Sequence, residues 1–155
     1  MPDRCSECGA PTTEWSCDEL FQRVLALDHQ RAQPWGAHHG VTVSCYVLQH
    51  PSTVRPHQRG AQLDIVLAFC DSGLTGVERL TTAARGHNTH RARTPMTSSP
   101  GGPDDSAARS VPDHPTFGTT IHDVAVDGTF PADGFTERLE RWAHSVREAW
   151  LPASS

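Results

Sequence analysis

Residues 16–27 read SCDELFQRVLAL and predict the first helix of an α-helical domain. Ser16 is followed three residues later by Glu19, the spacing of a capping box, in which each side chain satisfies a backbone N–H of the other residue. Apolar residues then recur every three or four positions, as in the buried stripe of an amphipathic helix. We therefore predict a helix over about residues 17–31, ended by Pro34. The stripe comprises Leu20, Phe21, Val24, Leu25 and Leu27.

Most of the remaining chain also favours helices. They are predicted at residues 37–50, 57–71, 75–85 and 133–151. The first of these contains several valines, which favour a strand, but its length suits a helix that ends before Pro51. Gly73 is expected to close the next helix, and Asp133 to cap the last one. Residues 121–126 alternate weakly and predict an extended segment, so the fold is expected to be a small bundle of four to five helices.

The length of 155 residues is typical of one domain. Residues 86–114 contain several Pro, Ser and Gly but no Leu, Ile or aromatic residue, a composition that buries too little apolar area to offset the entropy of ordering. We predict a single domain, 1–155, with four parts. These are an N-terminal arm (1–16), a helical core (17–85), a long flexible loop (86–118) and a C-terminal segment with a helix (119–151).

Charge and hydropathy exclude two classes of partner. The formal net charge is −5, and all 13 basic residues are Arg, so the chain lacks the basic block that binds nucleic-acid phosphates. The longest apolar run, residues 65–70, is six residues long, whereas a membrane span needs about 20. The N-terminus does not resemble a secretory signal, so we expect a cytoplasmic protein whose five cysteines are reduced.

Cys5 and Cys8 form a Cys-x2-Cys pair followed by Gly9, the pattern of a zinc knuckle. The turn between two such cysteines directs both sulfurs to one tetrahedral ion, and the glycine permits the backbone conformation of the turn. Cys17 follows at the first turn of the predicted helix, where the helix dipole favours the thiolate form. A thioredoxin-like redox pair is the weaker interpretation, because no βαβ pattern surrounds the two cysteines.

A fourth ligand is sought among the histidines nearest in sequence. These are His29, His38, His39 and His50. His39 and His50 would lie about 16 Å apart along a helix and therefore cannot share an ion unless the segment bends. We predict the metal ligands Cys5, Cys8, Cys17, His38 and His39, with one of the two adjacent histidines facing the knuckle. A structural core or capping role is an equal alternative for either histidine, and His50 before Pro51 is typical of a helix end.

Other titratable residues give weaker indications. Cys45 and Cys70 fall on apolar stripes and are predicted to be buried, inert thiols. The pair His87 and His90 lies in the predicted loop and favours an exposed position, and His122 precedes an aspartate on the predicted extended segment, where the two side chains would face opposite ways.

Several of these motifs together resemble an uncharacterised bacterial family of unknown function that is common in actinobacteria. The motifs are Cys5-x2-Cys8-Gly9, Cys17-x3-Phe21-x3-Leu25-Ala26-Leu27, His38-His39 with Thr42, Tyr46-x-Leu48-Gln49-His50-Pro51-Ser52, and Trp142-Ala143-x2-Val146-x3-Trp150. Gly40 stands where a leucine is expected after the histidine pair. The resemblance supports a metal-binding interpretation and implies no particular reaction.

Three functions remain open on these observations. The first is a binding or regulatory module whose N-terminal arm is held by a structural zinc ion. The second is a zinc-dependent hydrolase or lyase acting on a small molecule, with His39, Tyr46 or His50 as catalytic candidates. The third is a thiol redox sensor that loses zinc on oxidation. The partner is an unidentified protein or small molecule, and all three functions require the pair Cys5 and Cys8 to bind metal.

Overall fold

The structure, a computed structural model, describes residues 4–30, 32–93 and 117–151, and the side chains of these residues except 84–93. It is mainly helical, as the sequence predicts. The helices are α1 (Cys17–His29), α2 (His39–Gln49), α3 (Arg59–Arg93), α4 (Ile121–Val124) and α5 (Phe135–Trp150). The described residues form no strand, and none of their helices is long and apolar enough to cross a membrane.

The first two helices form an antiparallel hairpin. The predicted capping box begins α1, since the backbone N–H of Glu19 donates to Ser16 Oγ at 3.0 Å and the return bond is present. Asp28 in the last turn of α1 contacts His39 at the start of α2. At the other end, Cys17 at the start of α1 lies beside His50, which follows α2. Asp28 and His39 therefore lie at one end of the hairpin, and Cys17 and His50 lie at the other.

The core lies where α2 packs against α3 and α5, and α4 fills the space between α5 and α1. Its largest fully buried side chains include Leu20, Leu48, Leu63, Ile121, Phe135, Leu139 and Trp142. Two buried polar groups are satisfied within this core. Trp142 Nε1 donates to Gln49 Oε1 at 2.8 Å, and Gln49 Nε2 donates to the carbonyl of Thr119 at 2.8 Å. Trp150 Nε1 likewise donates to the carbonyl of Leu48 at 3.0 Å.

Helix α3 joins two segments that the sequence predicts as separate helices, 57–71 and 75–85, and extends beyond them. Gly73 has φ 64° and ψ −152°, so it interrupts the helical backbone at the position where a helix end is expected. Such a conformation is costly for residues that carry a Cβ. The helix resumes after the break and continues to Arg93, into the stretch expected to be a loop. The remainder of that predicted loop up to residue 116 lies outside the described residues.

Two local predictions near the C-terminus are wrong. Residues 121–126 are not an extended segment, because Thr120 and Asp123 form a capping box that begins the short helix α4. Asp133 does not cap α5. The N-cap is Gly134, which has φ 77°, and the carbonyl of Asp133 instead accepts a hydrogen bond from the guanidinium of Arg138 at 3.0 Å. A positive φ at the N-cap suits glycine, which has no Cβ to clash.

Candidate metal centre

Four side chains converge where the N-terminal arm meets the open end of the hairpin. The ligand atoms of Cys5, Cys8, Cys17 and His50 all lie within 4.8 Å of one another. The Sγ atoms of Cys8 and Cys17 are 3.6 Å apart. Two thiolates bound to a tetrahedral zinc ion at 2.3 Å are separated by about 3.8 Å. The four donors therefore have the spacing and the chemistry to hold a metal ion.

The knuckle turn brings the first two sulfurs together. The backbone N–H of Cys5 donates to the carbonyl of Ala10 at 2.8 Å, and that of Gly9 donates to the carbonyl of Cys5 at 2.9 Å. Gly9 has φ +80°, although no atom would obstruct a Cβ there. The glycine is thus required by the backbone conformation and not by crowding. Cys8 is buried and Cys5 is half-buried, so the turn faces the bundle.

His50 is oriented by the backbone of α2. Its Nδ1 lies 2.8 Å from the carbonyl of Tyr46, so Nδ1 carries the proton and donates it to that oxygen. Its Nε2 is buried and has no hydrogen-bond partner among the described residues. A histidine held in this way presents a free lone pair, which is the usual arrangement of a metal-ligating imidazole.

Aromatic packing also holds the His50 ring in place. Tyr46 stacks on His50 with ring centroids 4.1 Å apart, and its other face stacks on Phe21 at 3.8 Å. Phe21 lies one turn after Cys17 on α1. The stack therefore joins the helix that carries the third sulfur to the histidine at the end of α2.

Glu7 ties the knuckle to the segment that follows His50. Its carboxylate accepts hydrogen bonds from the backbone N–H and the Oγ of Ser52, both at 2.9 Å. Ser52 lies in the single-turn 3-10 helix Pro51–Thr53. The turn that carries Cys5 and Cys8 thus also holds, through Glu7, the segment that follows His50. We call this contact of Glu7 with Ser52 the clamp.

Replacement of Glu7 tests this clamp. We expect Glu7→Ala to lower the free energy of unfolding of the metal-loaded chain by about 1 kcal/mol, because two charge-assisted but exposed hydrogen bonds are lost. Urea unfolding measures the change. Glu14→Ala, which removes an exposed carboxylate of the same arm, is the control and should have a much smaller effect. Equal losses in the two variants would contradict a specific clamp.

The cluster also alters the acidity of its members. The hydrogen bond with Cys17 lowers the pKa of Cys8 to about 4, and the same contact raises the pKa of Cys17. Burial by itself lowers the pKa of His50, but the Cys8 sulfur and the Tyr46 carbonyl outweigh it and raise that pKa to about 9. In the metal-free chain these shifts favour a Cys8 thiolate beside a protonated His50 imidazolium, and binding of a cation would require Nε2 of His50 to release its proton.

The structure brings together three of the five sequence-predicted metal ligands, Cys5, Cys8 and Cys17, and adds His50. His38 and His39 lie at the opposite end of α2. The buried ring of His38 contacts the carbonyl of Pro34 at 2.8 Å and packs edge-to-face with two phenylalanine rings, whereas His39 contacts Asp28. Of the catalytic candidates, His50 is part of the cluster, Tyr46 stacks on His50, and His39 is remote from the cluster.

The antiparallel hairpin explains why His50 takes the fourth position. Cys17 begins α1, so its neighbour must come from the end of α2 and not from its start. Histidines at the start of α2 are displaced by the length of that helix, about 16 Å for 11 residues. Two helices joined by a short connection are usually antiparallel neighbours, and this rule applied to the sequence would have identified His50.

Fold and site together define a class, a small α-helical domain with three cysteines and one histidine positioned to hold a metal at one end of a helical hairpin. The chain belongs to the family of unknown function DUF5946, whose family model matches residues 3–151. This confirms the resemblance to an uncharacterised family. No curated protein and no solved structure matches the chain.

Proposed function

We propose that this protein is a zinc-binding helical module in which Cys5, Cys8, Cys17 and His50 hold a structural zinc ion. The observation that supports the proposal is the convergence of four protein donors within 4.8 Å. Zinc is the metal that best fits three thiolates and one imidazole, since such sets are typical of closed tetrahedral structural sites.

The completeness of the donor set favours a structural role over catalysis. A catalytic zinc site has three protein ligands and leaves the fourth position to water or substrate. Here a fourth protein donor, His50, is present and its Nε2 has no other partner in the described parts of the chain. Two of the sulfurs are buried, which also disfavours a sensor that exposes its thiolates to oxidants. These features support the module and not the enzyme or the redox sensor.

The ion would fasten the arm to the bundle. Residues 4–16 contain no helix, and their described hydrogen bonds to other parts of the chain include those of Glu7 with Ser52. An ion coordinated by two residues of the arm, one of α1 and one at the end of α2 would join three segments that are distant in sequence. In a reducing compartment, such as the cytoplasm predicted from the sequence, the thiolates would remain available to the metal.

Metal content of the purified chain tests the proposal. We expect one equivalent of zinc in the unaltered chain and a large loss in Cys8→Ser, Cys17→Ser and His50→Gln. Elemental analysis after dialysis provides the measurement. His39→Gln is the informative comparison, because the sequence alone predicts His39 as a ligand whereas the geometry favours His50.

Two control variants test whether any substitution of a cysteine or a histidine lowers the zinc content. Cys70→Ser alters a half-buried thiol outside the cluster, and His57→Gln alters an exposed histidine, so both should retain one equivalent. Full zinc retention in Cys8→Ser would contradict the proposal. So would a loss that follows His39 in place of His50.

A further inference from the structure

The other end of the hairpin carries a second group of metal-binding side chains. Asp28 is in the last turn of α1 and His39 is the first residue of α2. The Oδ2 atom of Asp28 lies 2.9 Å from Nδ1 of His39. The Asp28 side chain is only 5% exposed, and Oδ2 is buried with no partner in hydrogen-bond geometry among the described residues. The contact with His39 is an ion pair whose geometry does not satisfy a hydrogen bond, and a buried carboxylate oxygen in that state gains stability from a further ligand.

This pair faces open space. A cleft of about 500 Å³ is lined by Asp28, His29 and His39 together with the turn between the helices, including Gln33. A second cleft of about 400 Å³ lies on the α1 side and is lined by the same three residues together with Gln22. Asp28, His29 and His39 therefore border the same open space, which a small ligand or a hydrated ion can enter, although Oδ2 of Asp28 itself is buried beneath the surface of the cleft.

We propose that the two clefts form one groove, which binds a divalent first-row transition-metal ion at an open site. Asp28 and His39 are two of its ligands, and His29 is the third. Two imidazoles and one carboxylate are the donor set of open metal sites that keep positions for water or substrate. The separation of 2.9 Å between Asp28 Oδ2 and His39 Nδ1 fits neighbouring ligands at a right angle, which lie about 3.0 Å apart for bonds of 2.1 Å.

His29 must turn to complete the set. The described residues contain one group of three or more ligand atoms within 4.8 Å, the cysteine cluster, so the ring nitrogens of His29 are not yet that close to both other donors. His29 is exposed and is the last residue of α1, next to the C-cap Gln30. A side chain at a frayed helix end rearranges at low cost. Asp28 and His39 are thus already positioned as neighbouring ligands, and His29 can rotate towards them.

The groove is independent of the cysteine cluster. Asp28 and Cys17 are 11 residues apart on α1, a distance of about 16 Å along the helix. The two donor sets also differ in chemistry, since one consists mainly of soft thiolates and the other contains only imidazole and carboxylate donors. The proposed metal site in the groove is therefore independent of the proposed structural zinc site, and each can be tested without the other.

Cobalt binding by the zinc-loaded full-length chain tests the inference. We expect equilibrium dialysis against Co²⁺ to add about one equivalent of cobalt without release of zinc, and to produce no thiolate-to-cobalt absorption band. His39→Gln and Asp28→Asn should weaken cobalt binding tenfold or more, since even the loss of an outer-shell partner costs about that much. His29→Gln should weaken it as well, and His57→Gln, an exposed histidine elsewhere, should have no effect.

Each outcome decides the inference. His39 and His29 are exposed, so their glutamine variants are expected to fold. If Asp28→Asn proves unstable, the cobalt affinities of these two variants test the site. Absence of bound cobalt would overturn the inference and leave the pair as a contact between two helices. Cobalt binding that is unchanged in His39→Gln would also overturn it, because the ion would then occupy another place.

Discussion

Removal of zinc is expected to lower the thermal midpoint of the domain by about 10 °C. A site that is saturated 1,000-fold above its Kd contributes about 4 kcal/mol to stability, and each kcal/mol shifts the midpoint of a domain of this size by about 2–4 °C. Circular dichroism of the chain with and without a strong chelator measures the shift. Addition of zinc should restore the original midpoint, which shows that the loss is not chemical damage.

The effect of chelation should be confined to one end of the molecule. Hydrogen exchange is expected to accelerate in residues 4–16 and around Pro51–Thr53, because the ion joins these segments to α1. The amides of α5 should remain protected, since that helix is buried against α2 and α3 without help from the ion. Cys70→Ser should show the same dependence on zinc as the unaltered chain. A midpoint that does not change after proven loss of zinc would contradict a structural role.

The local parts of the candidate site are those that the sequence predicted. Cys5 and Cys8 are three residues apart, and Cys17 begins a helix whose capping box is visible in the sequence. Short-range backbone geometry fixes their positions, and the structure brings their sulfurs together. The fourth donor depends on which end of α2 packs beside the start of α1, which is a tertiary relation. Periodicity within α2 cannot supply that relation, so the sequence predicts only a helix-end or catalytic role for His50.

The same distinction applies to the fold. The long amphipathic helices α1 and α5 follow from a period of 3.6 residues, which their sequences repeat over three turns or more. The four-residue helix α4 is too short to show a period, and its capping box at Thr120 and Asp123 was the only usable indication. At Gly134 a Cβ would meet the guanidinium of Arg138, which donates to three separate carbonyls, and these contacts become visible only in the folded chain.

Replacement of Gln49 by methionine is expected to lower the free energy of unfolding by about 3 kcal/mol, because two buried polar groups lose a partner at about 1–3 kcal/mol each. Gln49 is fully buried, accepts a hydrogen bond from Trp142 Nε1 and donates one to the carbonyl of Thr119. Methionine is similar in length but can replace neither bond. Urea unfolding of the zinc-loaded chain measures the loss, and Gln22→Met, at an exposed position of α1, should change stability little.

A double-mutant cycle isolates the hydrogen bond between Trp142 and Gln49 from the other effects of the methionine. Trp142→Phe removes the indole N–H, so Gln49→Met should cost about 1 kcal/mol less in that background than in the unaltered chain. Thr119 still accepts a longer bond of 3.4 Å from Ser145 Oγ, which limits the remaining cost at its carbonyl. Identical losses in both backgrounds would show that the hydrogen bond from Trp142 contributes nothing to the cost of the methionine. Because Gln49 immediately precedes His50, a confirmed coupling would mean that the buried core fixes the end of α2 from which the fourth metal donor projects.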